Sequence, residues 1–187
     1  LNGGGTWTDF LVRPPPGYQT QYEGDPMTAY DDRSGTLWVG GYPDLHVFRD
    51  GKWRVYRSPE VSIPSHRTRL LEASDGALLV AGLGQEAARL DYGTARWTTY
   101  EGMNFQCETS DGAQWFLSQD NGVVRYDGEA WTRYGVEDGL MDPPRALLAT
   151  RQGVVWAVGS HDTTAATARF DGKRWSLRND RFMYCSH

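Results

Sequence analysis

The chain has 187 residues, 23% of them charged, and a formal net charge of −5. That length suits one packed core of ordinary size, and the acidic balance argues against nucleic acid or an anionic membrane, both of which are held by clustered Lys and Arg. There is no run of about 18 apolar residues, so no direct membrane insertion is expected.

In chain order, residues 6–10 (Thr6-Trp7-Thr8-Asp9-Phe10) read as an isolated outer strand. Pro14-Pro15-Pro16-Gly17 then begins a stiff, extended connector that reaches Pro26. Four similar units follow, at approximately 27–57, 68–100, 104–134 and 145–178. Each contains a first apolar strand, a tight turn, a second apolar strand, a third strand and an outer strand that opens on Trp. The first turns carry Ser34-Gly35, Asp75-Gly76, Asp111-Gly112 and Gln152-Gly153, which supply the positive φ of a hairpin. The outer strands begin at Trp53, Trp97, Trp131 and Trp175. Three follow a compact Asp-Gly turn (Asp50-Gly51, Asp127-Gly128, Asp171-Gly172), and one follows a lengthened turn from Asp91 to Arg96.

Within the last unit, Arg145–Thr150 and Val154–Gly159 read as buried strands, and Thr167–Asp171 and Arg174–Arg178 as progressively wetter ones. Residues 181–187 read as the inner strand of a further unit. A phrase returning at roughly 40-residue steps marks an array of small supersecondary units. Four antiparallel strands per unit, repeated radially, make an all-β propeller: four complete blades with partial strands at both termini.

Glu137-Asp138-Gly139-Leu140, the strand from Arg145, Gly153-Val154-Val155-Trp156 and above all Asp32-Arg33-Ser34-Gly35-Thr36-Leu37-Trp38-Val39-Gly40 resemble the two-component regulator propeller repeat. The likeness extends over nearly the whole chain. It departs from the pattern at Leu79, which stands where the repeat has Trp, at Ala157-Val158-Gly159-Ser160, and in the lengthened Asp91 turn. The resemblance implies a periplasmic or extracellular sensor module of a bacterial signalling protein. The partial strands at 6–10 and 181–187, each only a fraction of a unit, lead to the expectation that the chain is a segment of a larger propeller, its ring completed by further residues or another chain. A closed four-bladed ring is the alternative.

The recurring Trp residues are expected to pack blade against blade. Cys107 and Cys185 fall at equivalent repeat positions and are expected to be buried, unpaired thiols. His46, His66, His161 and His187 are scattered, without metal-ligand spacing. Asp31-Asp32 and Asp120-Asn121-Gly122 lack the spaced carboxylate series of a calcium loop, and the second reads as a turn. No catalytic residue, metal or cofactor is expected. Binding is expected on the loops between second and third strands, which present Tyr42, Asp44, Gln85, Gln119, Asp120, His161 and Asp162; the longest of these loops runs from Ser160 to Thr167. The ligand class left open is a small molecule, a glycan or a protein. The competing readings are an interaction scaffold in a larger assembly and a propeller enzyme such as a polysaccharide lyase.

Overall fold

The structure, a computed structural model, describes residues 28–40, 44–56, 69–81, 86–92 and 94–179. Four antiparallel sheets of four strands follow one another along the chain. The first holds β1 (Thr28–Asp31), β2 (Leu37–Gly40), β3 (Leu45–Arg49) and β4 (Lys52–Tyr56). The second holds β5 (Arg69–Glu72), β6 (Leu78–Ala81), β7 (Glu86–Asp91) and β8 (Arg96–Glu101). Next come β9 (Met103–Glu108), β10 (Gln114–Ser118), β11 (Val123–Tyr126) and β12 (Trp131–Tyr134). The last sheet is β13 (Pro144–Ala149), β14 (Val155–His161), β15 (Thr164–Phe170) and β16 (Trp175–Asn179). Strands in every sheet lie in sequence order, the all-β propeller arrangement expected from the repeats. The terminal partial strands, the Pro14–Pro26 connector and Cys185 lie outside the described residues.

One turn geometry recurs four times between first and second strands. The N–H of Asp32 bonds the carbonyl of Thr36 while Gly35 bonds Asp32, and the same pairs form at Ala73/Ala77, Thr109/Ala113 and Thr150/Val154. The glycine in each turn has φ between 76° and 86°, a region closed to most L-residues. In the third-strand turns, the Asp127 carboxylate accepts from the N–H groups of Glu129 and Ala130, and Asp171 does the same for Lys173 and Arg174. That local bonding is why Asp precedes Gly there.

The sheets pack by a shared rule. The second-strand residue three places after the turn glycine points forward, onto the next sheet; those two and four places after it point back. Trp38 thus meets Leu78 and Val80, Leu79 meets Phe116, and Trp115 meets Val155 and Ala157. An aromatic pair reinforces each junction at the outer strands. Tyr56 stands 5.4 Å from Trp97, Tyr100 5.5 Å from Trp131, and Tyr134 6.3 Å from Trp175, centroid to centroid. The repeat Trp therefore packs between blades, as expected, with one departure. Trp53 has no preceding sheet among the described residues and rests on Phe48 of its own sheet, 5.1 Å away.

The Asp-Gly-Leu segment makes the bend between the third and fourth sheets. Asp138 Oδ2 accepts from the Gly135 N–H, and Gly139 takes φ 86° with the Trp175 carbonyl so close that a Cβ would lie 2.2 Å from it. Leu140 and Met141 are then fully buried in the junction.

Three expectations need correction. The second strand of the last sheet is not buried on both faces: Val155, Ala157 and Gly159 are buried while Trp156 and Val158 are exposed. Among the described residues no sheet covers that face, and no packing of comparable extent joins the fourth sheet to the first. Among the described residues the four sheets form an open array. The segment from Ser160 to Thr167 is not a long loop either. β14 and β15 pair as far as His161 and Thr164, leaving a two-residue turn of Asp162 (φ 48°) and Thr163 (φ 63°). Cys107 is only partly buried. It packs against the junction of the third and fourth sheets, and burial raises its thiol to a pKa of about 11.

Candidate functional site

The expected loop residues that fall in the described part sit where second strands hand over to third strands. Asp44 is half-buried just before β3. Gln119 and Asp120 occupy the β10–β11 turn, where the Asp120 carboxylate bonds Ser118 Oγ and takes the Arg133 guanidinium at 2.7 and 3.1 Å. Those partners hold it below the usual carboxylate range, with the Ser118 hydrogen bond as the largest cause. His161 closes β14 with Nε2 3.8 Å from Asp162 Oδ2 and Nδ1 buried without a hydrogen-bond partner. No hydrogen bond or ion pair joins Asp120 to His161 or Asp162, so the structure does not gather these side chains into one constellation. Tyr42 and Gln85 lie outside the described residues. Among the described residues no three His, Cys, Asp or Glu side chains come together as a metal site.

A different site is better formed. Between the first and second sheets, at the outer rim, lies a groove of about 280 Å³, near the lower end of small-molecule pockets. Trp38, Val47, Tyr56 and Leu90 make its floor, Tyr92, just over one-third exposed, stands on its wall, and Trp53 borders it from β4 with its ring against Phe48 on the other face of the sheet. Arg49, Lys52 and Arg54 line the same cleft, and no carboxylate is among the described residues that line it. The β3–β4 hairpin explains this grouping. Arg49 pairs with Lys52 and Val47 with Arg54, so all three cations leave the sheet on its forward face, beside Trp38. The Arg54 guanidinium lies 4.3 Å from the Tyr56 ring centre, a cation–π contact. Arg49 is 3.7 Å from the exposed Asp50 carboxylate, a pairing largely screened by solvent.

Behind the groove, Asp32 anchors its walls. The residue is only 6% exposed. Oδ1 accepts from the N–H groups of Ser34 and Thr36 and from Ser34 Oγ; Oδ2 accepts from Trp38 Nε1 and Tyr92 Oη, both at 2.9 Å. Burial alone would raise the Asp32 pKa, but the donors from Ser34, Trp38, Thr36 and Tyr92 outweigh it and bring it to about 2. Tyr92 is pushed far above the usual tyrosine value, by burial first and then by its bond to this carboxylate. The groove wall is therefore fixed from both sheets through one buried anion.

Sequence reasoning did not reach this groove. Two signals pointed to it: the alternation Arg49, Lys52, Arg54 around an Asp-Gly hairpin, and the lengthened Asp91 turn that delivers Tyr92. Departures from a repeat are where a unique site is to be sought.

No family model matches the chain, and no curated protein matches it. Solved structures do. The extracellular domain of a hybrid two-component system, BT3049 from B. thetaiotaomicron, aligns with a TM-score of 0.58 at 15% identity. The alignment covers 81% of this chain and 22% of that one. A streptogramin B lyase aligns with a TM-score of 0.58 at 12% identity, over 83% of this chain and 54% of that one. The fold is that of a β-propeller. The chain spans about a fifth and about half of the lengths of these two structures, and at such identities the likeness carries architecture alone. Among the described residues no helix is long and apolar enough to cross a membrane.

Proposed function

We propose that this chain is a non-catalytic recognition module, the ligand-binding part of a signalling receptor that works in the periplasm or outside the cell. The link to signalling and to the cell exterior rests on the likeness to the extracellular domain of a two-component system. The lyase's chemistry is not carried over, since the loop carboxylate Asp120 is occupied by Arg133 and forms no acid–base pair with His161.

The observation behind ligand binding is the rim groove, with three cations and the partly exposed Tyr92 ring in a protein that is acidic as a whole. Its occupant is a small ring-bearing anion, either a carboxylated or sulfated sugar or an aromatic acid. The ring lies on Tyr92 at the groove wall, and the acid group is held by Arg49, Lys52 and Arg54. Calorimetric titration with acidic sugars, aromatic acids and their neutral analogues tests this. Acidic members are expected to bind, with affinity falling as salt rises. The double substitution Lys52→Glu, Arg54→Glu is expected to weaken binding more than about tenfold. Equal affinity for acidic and neutral members, or indifference to the charge reversal, would count against the groove. Binding of a protein partner with no small acid bound would favour the scaffold reading.

A further inference from the structure

Three forward faces of the array are covered by the next sheet, and among the described residues one is not. At the same repeat position Trp38, Leu79 and Trp115 are 2%, 1% and 2% exposed, whereas Trp156 is 37% exposed. Leu148 and Val158, its neighbours on that face, are 65% and 45% exposed. Contiguous apolar exposure of this kind marks an interaction surface. Strand register carries the face outward from this strip in two rows. Leu148 pairs with Trp156 and Trp156 with Arg169; Val158 pairs with Thr167 and Thr167 with Arg178. Each row runs from apolar side chains on the inner strands to an arginine on the outer ones, and neither row contains a carboxylate.

The outer half of this face differs from those that are covered. Arg89 and Arg125 hold the place of Arg169 on the second and third sheets. Each is paired with the acid just before the first-turn glycine, Asp75 or Asp111. On the fourth sheet that turn residue is Gln152, and Arg169 is exposed and makes no ion pair among the described residues. Arg178 stands where Tyr56, Tyr100 and Tyr134 each pack on the Trp of the following sheet. It too is exposed, with no ion pair among the described residues. Two positions that are neutral or neutralised elsewhere are thus two uncompensated cations beside an apolar strip.

We propose that the forward face of the fourth sheet docks a segment of a partner protein that carries apolar side chains beside carboxylates. The apolar side chains cover Leu148, Trp156 and Val158, and the carboxylates take Arg169 and Arg178, supplying from outside the charge that Asp75 and Asp111 supply within. Arginine holds a carboxylate through paired hydrogen bonds. The face crosses four strands, about 14 Å, and such a broad sheet surface suits a polypeptide better than a small molecule, which is held in a cleft. A second copy using this same face brings arginines and no carboxylate. The net charge of −5 disfavours nucleic acid and anionic membranes. The face belongs to the fourth sheet and is independent of the rim groove.

Peptide titration of the isotope-labelled 187-residue chain, followed by NMR at the indole N–H signal of Trp156, tests the proposal. Trp156→Phe identifies that signal. The probe is the peptide Leu-Ser-Phe-Ser-Glu-Ser-Glu, whose apolar and acidic side chains share one side when the backbone is extended. It is expected to shift the Trp156 signal saturably, with affinity falling as salt rises. Replacing its Glu residues by Lys should abolish the response, and replacing Leu and Phe by Ser should weaken it about tenfold. The double substitution Arg169→Glu, Arg178→Glu is expected to reverse the preference, so that the Lys peptide binds and the Glu peptide does not. A misfolded chain cannot produce that gain. A Trp156 signal that no peptide moves, or that Glu and Lys peptides move equally, overturns the proposal. So does a signal that shifts with protein concentration alone, which would put a second copy on this face.

Discussion

Trp115→Ala is expected to lower the free energy of unfolding by about 4 kcal/mol, and Trp156→Ala, at the same repeat position, by about 1 kcal/mol or less. The side chains are identical, and so is the turn before each. What differs is the neighbouring sheet. Trp115 is stacked on Tyr134 and meets Phe170 and Trp175 edge-on at 5.0 and 5.9 Å, joining two sheets. Its indole N–H donates to Thr109 Oγ1 at 3.3 Å. Removing it opens a cavity that rigid sheets on either side cannot close, so the transfer and cavity terms add. Trp156 has solvent on its outer side. Urea unfolding of both variants gives the comparison. Similar losses at both positions would mean that the fourth sheet's forward face is covered in the isolated chain.

That contrast shows what can be read from the residues. The repeat phrase determines which side chains face a neighbouring blade, and the recurrence of Trp53, Trp97, Trp131 and Trp175 made the sheets and their order legible. It does not say whether a neighbour is there. Trp156 obeys the same pattern as its equivalents and yet, among the described residues, has no sheet beyond it. The expected binding loops followed from topology alone, and topology cannot tell a free carboxylate from one occupied by an arginine, as Asp120 is by Arg133. The hairpin at His161 was hidden by its composition. Thr163, Thr164 and the alanines around them look like loop, but strand pairing overrides so weak a local preference. The groove lay in the deviations, because Tyr92 exists only in the lengthened turn.

Asp32→Ala is expected to cost about 3 kcal/mol, since it strands several donors at once. Trp38 Nε1 sits in a junction where the residue is 2% exposed and loses its carboxylate acceptor, and Tyr92 Oη loses its tie across the two sheets. The repeats themselves indicate the remedy. Six places before two of the forward residues stands an acceptor: Asp32 for Trp38, Thr109 for Trp115. The second sheet has Ala73 six places before Leu79, whose side chain carries no N–H to satisfy. Adding Trp38→Leu to Asp32→Ala is therefore expected to recover part of the loss, even though Trp38→Leu alone destabilises. Acid should act through the same carboxylate. Its pKa in the folded chain, about 2, lies below the ordinary value of 3.8, so the unfolded chain takes up the proton first. The stabilisation is fully present above about pH 4 and is lost as pH falls toward 2. Wild type should accordingly lose stability more steeply across that window than Asp32→Ala, and parallel acid profiles would show that Asp32 is not the anion holding the two sheets together.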